Sequence, residues 1–168
     1  MLTSRGVITV NPPGEAGIFR SLAVMRQMII AAAPHPTIRR RAAILSRGIA
    51  PGDHDARLEA ILSWVRANLS FLPDPVGVEA IASPVFHVQS IEIGGGSAGD
   101  CDDAATLLGA LARSIGRPVR LHVASFRPDR KLHHVWTDAA GTRAWLQLDP
   151  FRAERFSGIE TRGEVVNV

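Results

Sequence analysis

A single cysteine lies in Gly99-Asp100-Cys101-Asp102-Asp103, and it is followed in order by His133-His134-Val135-Trp136 and by Leu148-Asp149-Pro150. A thiol, an imidazole and a carboxylate supply a nucleophile, a base and a group that orients the base, which is the set that acyl transfer through a thioester requires. Two adjacent histidines compete for the role of base. Side chains alternate along a strand, so only one of them can face the thiol. His134 shares a face with Leu132 and Trp136 and is the expected base; His133 is the fallback. Asp149 alone reads as an Asp-Pro turn. Placed after Trp145-Leu146-Gln147-Leu148, it becomes a partner that would fix the imidazole tautomer.

The elements around these residues follow from periodicity. From 101 to 115, Ala104, Ala105, Leu107, Leu108, Leu111, Ala112 and Ile115 recur at helical spacing, and Gly116 with Pro118 ends the run. Cys101 therefore opens a helix, where free N–H groups and the positive end of the dipole favour a thiolate. Asp100, Asp102 and Asp103 oppose this, because like charge disfavours a thiolate. Asp100 reads as the N-cap, with the direct catalytic role as the alternative, and the two acids after the cysteine read as first-turn residues. Three strands are expected afterwards, over 119–126, 132–138 and 143–148. One helix end facing a hairpin would bring thiol, imidazole and carboxylate together.

The ordered set Gly-Asp-Cys-Asp-Asp-Ala-Ala, Gly116-Arg117-Pro118-Val119-Arg120, His134-Val135-Trp136 and Trp145-Leu146-Gln147-Leu148-Asp149-Pro150 resembles the transglutaminase-like cysteine peptidase superfamily. The acids after the cysteine particularly resemble its small members encoded by bacteria, prophages and tailed phages. The resemblance spans roughly 58–151. It implies an α+β, papain-like core, with the cysteine at the N-terminus of a central helix packed on an antiparallel sheet. It also implies Cys101, His134 and Asp149 as the triad. Acyl transfer needs donors for the developing oxyanion. The Cys101 backbone N–H is one, and Gln89 is the candidate upstream side chain, with a plain surface glutamine as the other reading.

Metal chemistry is the other use for these residue types, through Cys101, His122, His133 and His134. One cysteine gives no paired-thiolate motif, and no metal-ligand spacing occurs in this half of the chain, so neither metal nor cofactor is expected. The run Gly94-Gly95-Gly96-Ser97-Ala98-Gly99 lacks the Gly-Lys-Ser/Thr ending of a phosphate loop. It reads as a flexible wall of the active-site groove or as a simple loop.

Upstream, a strand is expected over 7–10 and helices over 16–33, 37–47 and 53–69, the last capped by Asp53 or Asp55; residues 71–97 read mostly as loop. Along the first helix Ile18, Leu22, Met25 and Ile29 define one apolar face. The segment 18–33 is interrupted by Arg20, Arg26 and Gln27 and is too short to span a bilayer. Residues 1–15 lack the pattern of a signal peptide. The expected location is the cytoplasm or a phage particle.

The chain has 168 residues, 46% of them hydrophobic, which suits one globular unit. Its organisation reads as a basic helical segment over 1–50, packed on or docking from a core over 51–156, with a tail over 157–168. The net charge of +3 is uneven, since residues 1–50 hold seven arginines and only Glu15. Arg39-Arg40-Arg41 with Arg47 could dock an acidic partner or a larger, phage-type assembly. Without interleaved aromatics or a recognised motif, nucleic acid is set aside. The functional expectation is a cysteine peptidase or amidase acting on a protein or peptide substrate. Transamidation by the same thioester stays open, and so does a binding or assembly protein with little turnover.

Overall fold

The helix that carries the cysteine is the centre of the molecule. The computed structural model describes residues 6–9, 14–75, 78–152 and 159–168. In it the helix α5 (Cys101–Ser114) is buried from Asp102 to Ala112 on every side. A helix that is apolar all round must be enclosed by other elements. On one side lies the four-stranded antiparallel sheet in the order β7 (Trp145–Leu148), β6 (His134–Ala140), β5 (Val119–Ser125) and β8 (Arg162–Asn167). On the other sides pack α1 (Glu15–Ala32), α2 (Pro36–Leu45), α3 (His54–Asn68) and α4 (Pro84–Glu92).

Gly109 shows how tightly this is built. A helix-interior glycine costs about 0.5–1 kcal/mol relative to alanine, yet a Cβ here would come within 2.7 Å of Ile29 Cδ1 and 3.2 Å of Thr137 Oγ1. The glycine lets α1 and β6 approach α5 from opposite sides. Thr137 then donates its hydroxyl to the Ala105 carbonyl at 2.7 Å, tying the sheet to the helix. Leu107, Leu108 and Leu111 are fully buried around it, each contributing about 1.5–3 kcal/mol.

Two small strand pairs flank the start of α5. β2 (Leu69–Phe71) runs parallel to β4 (Ser97–Gly99), with Phe71 opposite Gly99. β1 (Gly6–Thr9) pairs antiparallel with β3 (Glu79–Ala82). The architecture is α+β, with an antiparallel sheet and the cysteine at the N-terminus of the central helix.

Several sequence expectations change. Residues 71–97 are not mostly loop, because β3 and α4 fall within them and β4 begins at Ser97. Strands of three or four residues are too short to show alternation. The start of α4 did carry a local signal, the Ser83 cap with Pro84 after it: Ser83 accepts from the Val85 N–H. The glycine-rich run does not wall the cysteine's cavity. Gly94 has φ +85 after α4, and Gly95 to Ala98 line a separate cavity with Asn68, Ser70 and Phe86. The C-terminal tail is not a tail over 162–167. It is β8, which pairs with β5 with Val166 against the core and Val165 exposed. The expected strand over 7–10 corresponds to β1 (Gly6–Thr9); Val10 of that expectation lies outside the described residues, as does the expected core boundary near 156. Among the described residues no single helix is long and apolar enough to cross a membrane.

Candidate functional site

Cys101 occupies the first position of α5 because Asp100, which follows β4, caps the helix. Asp100 Oδ1 accepts from the Asp102 N–H at 3.2 Å, and Asp103 Oδ2 accepts in return from the Asp100 N–H at 3.3 Å. This reciprocal arrangement satisfies helix-end donors that would otherwise be orphaned. Asp103 Oδ1 also accepts from the Ala82 N–H of β3 at 2.6 Å. Gly99 is required by the same packing, since a Cβ there would meet Asp103, with its Cβ at 2.7 Å. Beneath this lies His87, fully buried, its Nδ1 at 2.7 Å from Ser97 Oγ and its Nε2 at 3.4 Å from Asp103 Oδ1. Sequence reasoning missed His87 and the bracing part of Asp103, because nothing local marks a histidine in a short helix as the support of another helix's cap.

The structure gathers Cys101, His133 and His134 on one cavity of about 240 Å³. His134, the first residue of β6, is buried, and its Nε2 lies 2.7 Å from Asp149 Oδ2. Asp149 follows β7 and uses both oxygens, since Oδ1 accepts from the Phe151 N–H at 3.0 Å. The turn reading and the imidazole-partner reading thus hold for different atoms of one carboxyl. Trp136 covers the pair from its own strand, 5.6 Å from the His134 ring, with Phe126 and the Arg152 guanidinium stacked beyond it. His133 is half-buried and its Nδ1 lies 2.9 Å from the Lys131 carbonyl. Asp100 lines the cavity while serving as the cap. Gln89 is exposed on α4 and does not line the cavity, so the structure does not bring it to the thiol. Two wall residues had no signal in the sequence: Glu79 from β3, and Ser21 from α1, whose hydroxyl donates to Glu79 Oε1 at 2.8 Å.

Electrostatics at the sulfur run against the helix end. Burial pushes the Cys101 thiol well above the usual range, the carboxylates of Asp100 and Asp102 push it further, and the Val135 backbone N–H directed at the sulfur offsets only part of this. Asp102 is itself held well above the usual carboxylate range, by burial first and by the neighbouring Asp100 carboxyl second. Asp74, near the same cluster, is pushed up to about 6 by burial, against the Ala80 N–H that it accepts, and by the charges of Asp100, Asp103 and Glu79. The oxygens of Asp100, Asp102 and Asp103 approach within 4.8 Å of one another. Both Asp103 oxygens and Asp100 Oδ1 are already committed to backbone N–H groups, which leaves a poor ligand set for a metal ion.

The sequence profile of the transglutaminase-like superfamily matches residues 44–150. No curated protein is significantly similar in sequence. Among solved structures, a candidate cysteine protease from Cytophaga hutchinsonii superposes with a TM-score of 0.51 at 16% identity, covering 95% of this chain and 59% of that one. A candidate protease from Parabacteroides distasonis gives 0.54 at 14% identity, covering 95% of this chain and 33% of that one. The chain thus spans well under two thirds of the length of either, and at these identities the likeness concerns the fold. With a cysteine opening the buried central helix, a strand that begins on His134 lining the same cavity, and the profile running through both, this chain belongs to the transglutaminase-like superfamily.

Proposed function

We propose that the protein is a cysteine peptidase or amidase that works through a thioester on Cys101. The observation that carries the reading is the cavity shared by Cys101 and His134, together with the 2.7 Å contact from His134 Nε2 to Asp149. With Nε2 turned to the carboxylate, Nδ1 is the nitrogen that exchanges a proton with the thiol. The sulfur attacks the carbonyl carbon as its proton passes to His134. The C–N bond then breaks, and the same proton leaves on the amine. Water attacks the thioester, giving a carboxylic acid and the restored thiol. An amine in place of water would give transamidation from the same intermediate. The Cys101 backbone N–H, at the helix start, supplies a donor for the oxyanion.

The test is incubation of the protein with a mixed peptide pool, with products read by mass spectrometry. Wild-type protein is expected to release new termini, Cys101→Ala to release none, and Asp149→Asn to act about 10²–10⁴-fold more slowly. Cleavage that survives Cys101→Ala would remove the proposal.

A binding or assembly protein, such as a component of a phage-type particle, is the second reading, and one feature favours it: burial first, and the Asp100 and Asp102 carboxylates second, push the Cys101 thiol well above its usual range. Absence of any peptide product, with recovery of the protein in a large particle, would decide for it.

A further inference from the structure

We infer that Asp138 is a positioning residue for the proposed reaction: its carboxylate anchors the Trp136 indole, and the anchored indole keeps the His134 imidazole on Asp149 and water away from that contact. The inference rests on the acyl-transfer reading and adds a residue that acts on the base through another side chain. Strand pairing puts His134, Trp136 and Asp138 of β6 on one face of the sheet, opposite Ala124, His122 and Arg120 of β5. Asp138 is 5% exposed, and a buried carboxylate is costly unless it is paired and hydrogen-bonded. Its two oxygens divide the work. Oδ1 accepts the Trp136 Nε1–H at 2.8 Å, while Oδ2 accepts from Arg120 Nε at 3.0 Å, with His122 Nδ1 at 3.5 Å. Burial raises the carboxyl, but these contacts from His122, Trp136 and Arg120 outweigh it and hold Asp138 below the usual range, so it remains an acceptor.

The indole is fixed in plane and in rotation by different neighbours. His122 stacks on it with ring centroids 4.2 Å apart at 27°, and Phe126 lies against it at 6.3 Å and 24°. Stacking sets the plane of a ring but leaves it free to turn within that plane; the Nε1–H bond to Asp138 removes this freedom. The remaining neighbour is the His134 ring, 5.6 Å away and tilted by 35°. The 2.7 Å contact from His134 Nε2 to Asp149 Oδ2 is buried and sets the tautomer that acyl transfer needs. An indole turned out of place would admit water to that contact, where it competes for both partners and lets the imidazole swing from its working geometry. An apolar side chain at 138 would pack on the sheet but could not hold the indole N–H, which accounts for an acid in a buried place.

The test follows, by proton NMR, the imidazole proton between His134 Nε2 and Asp149, assigned by its loss in His134→Ala. Its exchange with water is compared in the wild type, Asp138→Leu, Asp138→Asn, Trp136→Phe and Arg120→Gln, with circular dichroism checking each fold. Asp138→Leu and Trp136→Phe both delete the bond between indole and carboxylate, and each is expected to exchange about tenfold faster or more. Asp138→Asn keeps a carbonyl acceptor for the indole and should recover most of the protection. Arg120→Gln removes a partner of Oδ2 alone and should exchange like the wild type. In the peptide assay Asp138→Leu should lower kcat by about 10- to 100-fold with KM unchanged, again recovered by Asn. If Asp138→Leu does not fold, Trp136→Phe breaks the same bond from its other end and decides. An unprotected proton in the wild type, exchange unaltered in the folded variants that lack the bond, an Asn variant as fast as Leu, or equal acceleration in Arg120→Gln would overturn the inference. The exchange measurement needs no turnover, so a protein that releases no peptide still answers it, and the two failures stay separate.

Discussion

At Cys101 two influences compete, and magnitude decides between them. A helix N-terminus favours an anion by about 0.3–1 kcal/mol at an exposed site. Enclosing the sulfur and surrounding it with Asp100 and Asp102 opposes ionisation more strongly, so the thiol lies well above its usual range. Alkylation of Cys101 by iodoacetamide should therefore keep rising with pH beyond the ordinary thiol value of about 8.5. Asp102→Asn should bring the inflection down, because it removes a like charge. A wild-type inflection below 8.5 would show that the helix end and His134 outweigh the acids. Asp102 was legible in the sequence as a first-turn acid. Its burial on the thiol's cavity was not, since that depends on β3 and α1 closing over it.

Among the elements, the start of α5 depends on residues well beyond the helix: Asp103 bonds to β3, His87 Nε2 of α4 lies 3.4 Å from Asp103 Oδ1, and Gly99 of β4 leaves room for the Asp103 side chain. Gly99→Ala should cost about 1–3 kcal/mol as an overpacked site, read as a lower denaturation midpoint. It should also slow any Cys101-dependent activity, because Asp103 must shift and the cap shifts with it. Unchanged stability would mean that Asp103 relaxes freely. The long elements were readable from the chain: α1, α3 and α5 lie within one or two residues of the helices that periodicity predicts, and Asp53 is the cap of α3. The short ones were not. β2, β3 and β4 have three or four residues, and what stabilises each is its partner strand, which periodicity within the segment does not record. β8 was hidden for the same reason, being half-buried only because β5 lies beside it.

For the whole molecule, charge distribution sets the pH dependence of stability. Asp74 titrates near 6, above its unfolded value of about 3.9. The folded state therefore holds this proton more tightly, and the stability from it is greatest below pH 4 and lost as pH rises through 6. His122 is raised by its contacts with Asp138 and Glu160, so its contribution is full below about 6.5 and is lost as pH rises through its folded value. Both have the same sign between pH 8 and 5. The thermal midpoint should rise as pH falls across that window, with Asp74 contributing about 1 kcal/mol after solvent screening. Asp74→Asn should flatten the rise; an unchanged slope in that variant would assign the effect elsewhere. Asp138 is lowered despite its burial, by His122, Trp136 and Arg120, and its stabilisation is lost only in more acid solution.

Residue order and helical periodicity by themselves determined the family, the central helix, and the order of thiol, imidazole and carboxylate, because a buried amphipathic helix and an ordered motif are written in local spacing. Strand alternation together with the His-x-Trp pattern favoured His134 over His133; both line the cavity, and His134 is the one whose Nε2 lies against Asp149. Tertiary structure decided what surrounds the sulfur. It brought Glu79 and Ser21 to the cavity from segments with no chemical signal, left Gln89 exposed on α4, and set Asp102 against the thiol with an unsatisfied oxygen. Those outcomes depend on which distant surfaces meet, and the cost of a buried charge is set by that meeting rather than by sequence neighbours.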